Sequence, residues 1–247
     1  MPPRETRTCR LFLFDLDGTL IDSQEDIVRS LDLTLGRLRL PAIPAARIGS
    51  FVGDGVQALV ERAFAESAGR DPLPEETVRG VELFREEYGR HLLDRTHLCA
   101  GAAEALERLD WARYALVSNK PADFCRRILE GLGVAGRFDT ILGGDSTPNR
   151  KPDPGPLLEA MRLCRVPASE SVMVGDSRVD IEAGKRAGVF TCGVLGGFRP
   201  EEELESSGCD LLIRSLTELC DHFRPLEARG GQHQRPDRVR RRSGAGD

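Results

Sequence analysis

The stretch Leu11-Phe12-Leu13-Phe14-Asp15-Leu16-Asp17-Gly18-Thr19 decides how this chain reads. Four consecutive large apolar residues suit a strand buried on both faces of a parallel sheet, although by periodicity alone a buried helical segment would do as well. The Asp-x-Asp-Gly-Thr that follows marks a strand end. In open α/β sheets the ligand crevice lies beyond the carboxyl ends of the strands, so Asp15 and Asp17 fall where chemistry is expected. Two carboxylates so close repel each other, and a fold usually tolerates them with a cation between them or a proton on one. A hard, oxygen-seeking ion such as Mg²⁺ is the natural cation. The plainer reading is an Asp-Gly turn with both acids solvated. A calcium-binding loop does not fit, because the glycine comes too early and no glutamate closes the loop.

Working outward, 247 residues with 40% hydrophobic content can bury a sizeable core, as one large domain or a core plus a smaller one. A net charge of -5 gives no support for nucleic acid as the main partner. Seven cysteines, odd in number, scattered and without a Cys-x-x-Cys pair, argue for reduced thiols in a cytoplasmic setting rather than a disulfide framework or a zinc site. The apolar run at Leu11 is too short for a signal peptide core, and no segment approaches membrane-spanning length. Of 35 basic residues only Lys120, Lys151 and Lys185 are lysines. A position that keeps lysine in so arginine-biased a chain is a candidate for needing a compact ammonium, and Lys151 stands out on that ground.

In chain order, residues 1–10 are polar and expected to fray until the first strand. From 22 to 94 apolar residues recur at helical spacing, among them Ile27, Leu31 and Leu35, then Leu59 and Ala63, then Val78, Leu83, Phe84 and Tyr88, with prolines in the breaks. No strand is expected there. After Leu98 strands alternate with helices: Tyr114–Val117, Asp139–Leu142, Ser171–Val174, Val189–Val194 and Asp210–Ile213 read as strands. The expected fold is therefore α/β, a doubly wound parallel sheet of Rossmann-like type (residues 1–21 and 95–223) with an inserted all-helical cap subdomain (22–94). Residues 224–247, with Arg238-Val239-Arg240-Arg241-Arg242, read as a disordered basic tail, the alternative being an interaction tail.

Three further stretches stand at predicted strand ends. Ser118-Asn119-Lys120 offers a hydroxyl and backbone amides at a strand-to-helix turn, which can hold phosphoryl oxygens; it is also an ordinary helix entry. Lys151 lies between Gly143-Gly144-Asp145 and Pro152-Asp153-Pro154, in a loop that the prolines stiffen. Val174-Gly175-Asp176-Ser177-Arg178-Val179-Asp180 would add a third acid at the sheet end and a fourth one turn on. Three anions facing one crevice suggest a bound metal, while acids near a helix start are favourable without one.

The segment Phe14 to Leu20, Ser118-Asn119, Lys151 and Gly175-Asp176 with Asp180 resemble, in order and spacing, the four signatures of the haloacid dehalogenase superfamily phosphatases, over about residues 10 to 215. Within that superfamily the chain is most similar to the phosphoglycolate phosphatase group: the helical insert follows the first signature, Phe51-Val52-Gly53-Asp54-Gly55 lies inside it, and Gly143-Gly144-Asp145 leads to Arg150-Lys151-Pro152-Asp153-Pro154. The resemblance implies a phosphatase with Asp15 as nucleophile and Asp17 as general acid/base. It further implies Mg²⁺ on Asp15, the Asp17 backbone carbonyl and Asp176. Ser118, Asn119 and Lys151, with Gly18 and Thr19, would surround the phosphoryl group, and Asp180 would orient Lys151 or a water. Arg47, Gly53, Asp54 and Gly55 are the expected contacts to the rest of a small phosphorylated metabolite, for which 2-phosphoglycolate is the leading choice. Gly53 and Gly55 also suit a plain helix-entry turn.

A phosphomutase of the β-phosphoglucomutase type would share the core. A dehalogenase would have no use for Asp17, and a non-catalytic binding module would leave four competent signatures idle. No membrane partner is expected, and monomer and homodimer both stay open.

Overall fold

The computed structural model describes residues 6–226. The first five residues and the basic cluster at Arg238–Arg242 lie outside the described residues. In chain order the strands and helices are β1 (Arg7–Cys9), β2 (Leu11–Phe14), β3 (Ile21–Asp22), α1 (Gln24–Arg37), α2 (Ala45–Gly49), α3 (Val56–Ala68), α4 (Pro74–Arg90), β4 (His97–Leu98) and α5 (Ala102–Arg108). The chain continues through β5 (Arg113–Val117), α6 (Ala122–Gly131), β6 (Thr140–Leu142), α7 (Gly155–Cys164), β7 (Ser171–Gly175), α8 (Arg178–Ala187), β8 (Phe190–Val194), α9 (Glu201–Glu205), β9 (Leu211–Ile213), α10 (Leu219–His222) and β10 (Phe223–Pro225).

The apolar run of β2 is the middle of a six-stranded, all-parallel sheet ordered β6-β5-β2-β7-β8-β9. Successive side chains of a strand leave on opposite faces. Leu11 and Leu13 accordingly pack with Ala115, Met173, Leu157 and Met161 beneath α7 and α8, whereas Phe12 and Phe14 pack with Tyr114, Val172, Ala105 and Ile128 beneath α5 and α6. Both cores need an apolar partner at every second position, which is why the run is unbroken. Because β2 is followed in space by β5 on one side and β7 on the other, the order of connection reverses beside it. The residues just past β2, β5 and β7 therefore converge on one crevice.

Between β3 and β4 every regular element is a helix. Helices α1 and α4 pack together, and α3 packs on α4 with Gly80 opposite Val60, where a Cβ would stand 2.6 Å from a Val60 methyl. The chain leaves the core through Ile21–Asp22 and returns through His97–Leu98, and these pair as a short antiparallel ribbon. Buried Asp26, in the first turn of α1, fastens the exit to the return. Its carboxylate accepts the amides of Arg95 (2.9 and 3.0 Å) and Thr96 (2.8 Å) and the Thr96 hydroxyl (2.8 Å). No helix among the described residues is long and apolar enough to cross a membrane.

Two boundaries differ from the sequence reading. Arg7–Cys9 is not frayed but forms β1, paired in parallel with Phe223–Pro225, so Arg224 and Pro225 belong to a strand rather than to a tail. Buried Phe223, edge-on to Phe12 (5.4 Å) and Phe190 (5.8 Å), supplies the apolar contact that makes three residues enough.

Candidate active site

Asp15 stands at the first position beyond β2, where its amide still donates to the Val174 carbonyl (2.9 Å). Its carboxylate accepts from Lys151 Nζ at 2.7 Å, and the same ammonium reaches Asp180 at 2.6 Å. Lys151 is 4% exposed. Burial alone would pull its pKa down, but the charges of Asp15 and Asp180 and their hydrogen bonds more than offset this and hold it raised. Asp180 is fixed by the start of α8: its other oxygen accepts from the Ser177 hydroxyl (2.6 Å) and amide (3.2 Å), the reciprocal cap of that helix.

Asp176, just past β7, accepts from Thr19 Oγ1 (3.3 Å) and the Phe198 amide (2.8 Å). Two glycines leave room for it. A Cβ on Gly18, whose φ is +80°, would stand 2.2 Å from its Oδ2, and one on Gly197 at 2.3 Å. One carboxylate oxygen each from Asp15, Asp176 and Asp180 lies within 4.8 Å of the others. Burial, then repulsion from Asp15 and Asp180, drives the Asp176 pKa well up; burial likewise pushes Asp15 up to about 6 in spite of Lys151. Three buried carboxylates against one ammonium leave an excess of negative charge, and oxygen donors alone surround it. This donor set fits a hard divalent ion such as Mg²⁺.

Asp17 is turned the other way. Its Oδ1 accepts from Ser23 Oγ and from Lys120 Nζ, both at 2.5 Å. The buried Lys120 ammonium also donates to the Tyr88 hydroxyl on α4 at 2.7 Å and lies 4.8 Å from the centroid of that ring. Burial opposes the charge on Lys120, yet Asp17 and Tyr88 hold its pKa raised; burial pushes the Tyr88 phenol up to about 12.

Beyond β5, Ser118 is buried and lines the same cleft as Asp15, while the Asn119 side chain is a strut. Its Nδ2 donates to the carbonyls of Gly53 and Lys151, each at 3.0 Å, and so ties the insert to the lysine loop. Gly53 (φ +121°) and Gly55 (φ +93°) adopt backbone that L side chains rarely take, and a Cβ on Gly55 would stand 2.9 Å from the Arg150 guanidinium. The insert and core enclose a cleft of about 50 Å³, lined by Asp15, Asp17, Ser118, Asn119, Lys120 and Phe124 from the core and by Ile27, Val52, Gly53, Gly55, Val56, Leu59, Phe84 and Tyr88 from the insert.

The structure thus brings together Asp15, Asp17, Gly18, Thr19, Ser118, Asn119, Lys151, Asp176 and Asp180, with Gly53 and Gly55 across the cleft. Two expected substrate contacts are not brought in. The Arg47 side chain is 58% exposed and paired with Glu66 (2.9 Å), outside the cleft lining. Asp54 pairs with Arg62 (2.5 Å) and Arg199 (3.4 Å), facing a separate surface groove. Lys120 and Tyr88 were given no role by the sequence reading. The scarcity of lysine singles out Lys120 as readily as Lys151, whereas Tyr88 reads as one more apolar position of a helix.

Against known proteins, the haloacid dehalogenase-like hydrolase family profile matches residues 12–194. A phosphoglycolate phosphatase of Vibrio parahaemolyticus is 38% identical over 86% of this chain and 95% of its own length; one from Colwellia psychrerythraea is 36% identical over 85% and 94%. Among solved structures, a predicted phosphoglycolate phosphatase from Haemophilus somnus superposes with a TM-score of 0.79 at 28% identity, covering 87% of this chain and 97% of that one.

Proposed function

Because the chain belongs to the haloacid dehalogenase-like hydrolases and is a phosphatase like its relatives, we propose that it hydrolyses 2-phosphoglycolate through an aspartyl phosphate on Asp15. The observation that carries this reading is the division of labour around two acids two residues apart. Both line the cleft, but Asp15 is paired with Lys151, whereas Asp17 is held by Ser23 and Lys120. In the first step an Asp15 oxygen attacks phosphorus, the bond from phosphorus to the ester oxygen breaks, and Asp17 supplies the proton the departing alkoxide takes up. In the second, Asp17 withdraws a proton from a water that attacks the same phosphorus, which releases inorganic phosphate and restores the Asp15 carboxylate. Lys151 and Ser118 hold the phosphoryl oxygens, and Asp180 keeps Lys151 in place.

Mg²⁺, when bound by Asp15, the Asp17 backbone carbonyl and Asp176, offsets the charge between nucleophile and substrate. The remaining acceleration comes from positioning in a water-poor site, over which the helical insert acts as a cap.

The relatives named phosphoglycolate phosphatase favour that substrate over a sugar phosphate. A cytoplasmic location suits the seven unpaired thiols. Phosphate release from a panel of esters with Mg²⁺ tests the proposal: 2-phosphoglycolate should rank first. A sugar phosphate or nucleotide in first place would overturn the substrate while leaving a phosphatase.

A further inference from the structure

We propose that Lys120, together with the Tyr88 hydroxyl, is the subsite that receives the carboxylate of the leaving group and so determines specificity for acids phosphorylated on the adjacent carbon. The inference rests on the phosphatase reading above and names the group that recognises the substrate.

Lys120 is the one cationic side chain among the residues that line the cleft. The insert wall opposite is apolar apart from Tyr88, and the core wall carries the acids Asp15 and Asp17. A carboxylate entering such a space without a cation would lose its hydration and meet repulsion as well, which costs far more than binding a neutral group. Arg47 cannot supply the cation, because it is outside the cleft and engaged by Glu66.

Position selects the substrate class. Lys120 Nζ is 2.5 Å from Asp17 Oδ1. An ester oxygen within hydrogen-bond reach of Asp17 therefore places a carboxylate one carbon away beside the same ammonium. Of the three N–H donors on Lys120, Asp17 and Tyr88 take two, and the third is left for a ligand. Tyr88 accepts from Lys120 and its hydroxyl also meets Ser23, so it reaches a second carboxylate oxygen by turning its O–H from Ser23 to the ligand. The two donors come from opposite walls, Lys120 from the core and Tyr88 from α4, and the subsite is complete only with the insert closed. The ammonium lies between Asp17 and the ring of Tyr88, 4.8 Å from its centroid, a confined place that suits a compact cation.

The competing explanation is that Lys120 merely positions Asp17. The two are separated by comparing 2-phosphoglycolate with 2-hydroxyethyl phosphate, an ester of similar size whose carboxylate is replaced by an alcohol, in the wild type, Lys120→Met and Tyr88→Phe, with Mg²⁺ present. The carboxylate subsite predicts that Lys120→Met lowers kcat/KM for 2-phosphoglycolate roughly 10- to 100-fold more than for the alcohol, chiefly through KM, and that Tyr88→Phe shifts the same ratio by about 2- to 10-fold. Losses alike for both esters within about twofold would overturn the subsite and leave Lys120 a positioning residue. If Lys120→Met does not fold, the Tyr88→Phe ratio decides, and an unchanged ratio overturns the subsite. Wild type that turns over both esters equally well overturns the subsite alone; wild type that hydrolyses neither overturns the phosphatase reading beneath it.

Discussion

The two walls of the cleft are made of different material. The core wall, at the carboxyl ends of parallel strands, concentrates buried charge: Asp15, Asp17, Ser118, Asn119 and Lys120 face the cleft, with Lys151, Asp176 and Asp180 immediately behind. The insert wall presents Ile27, Val52, Val56, Leu59 and Phe84 and a single polar side chain, Tyr88. The insert is not short of charge, but it spends its charges outward, in pairs such as Arg47 with Glu66, Arg70 with Glu76 and Arg37 with Glu86 and Glu87. In the proposed reaction the core wall would hold the phosphoryl group and, through Lys120, the carboxylate, while the insert wall would shape and dry the remaining space.

The sharpest way to break this contrast is at Asp15. Asp15→Asn keeps the shape of the core wall and removes the nucleophile, so turnover should fall by roughly 10⁴-fold or more, with no phosphorylated enzyme trapped on acid quenching. Residual hydrolysis near the wild-type rate would mean that the core wall does not do the covalent chemistry.

A smaller effect should distinguish the walls by pH and metal. Burial raises the carboxyl groups of Asp15, to about 6, and of Asp176, so the folded protein holds these protons more tightly than the unfolded chain does. Without metal, the stability Asp15 contributes is full below the unfolded carboxyl range and is lost as pH rises through about 6, and that of Asp176 is lost as pH rises through its own raised pKa. Above that, the facing anions need a cation. Mg²⁺ should therefore raise Tm by roughly 3–8 °C at about pH 7.5 and by clearly less at about pH 5. Equal shifts at both would show that these acids are not the ligands.

The smallest effect should come from the outer face of the insert. Arg47→Ala removes an exposed ion pair and should change kcat/KM for 2-phosphoglycolate by less than about twofold and stability by under about 1 kcal/mol. A large rise in KM would return Arg47 to the substrate.

The same contrast governs what the sequence could tell. The core wall was legible because each of its groups is tied to a local pattern. Asp15 and Asp17 follow an apolar run, Ser118 and Asp176 follow others, and Lys151 is one of three lysines. The insert was legible as helices, since Leu31, Leu83, Phe84 and Tyr88 repeat at helical spacing, but not as a wall. Arg47, near Gly53-Asp54-Gly55, reads as a substrate contact, and what turns it away is Glu66, on α3. Tyr88 packs like its neighbours, face to face with Phe84 at 5.4 Å and edge-on to Phe124 at 5.5 Å, and only its hydroxyl departs from them. The pairing of Cys9 with Pro225 was out of reach for a related reason: three-residue strands carry almost no periodicity, and their partner lies at the opposite end of the chain.

The ribbon of Ile21–Asp22 with His97–Leu98, stapled by Asp26, also says something about ancestry and engineering. Because the chain departs and returns through two hydrogen-bonded neighbours, a hairpin turn of about two residues could join the same ends without disturbing any strand of the sheet. The entropic cost of closing a longer excursion grows only with the logarithm of its length. The stem is thus a grafting point, at which a different helical excursion could be joined to the same sheet.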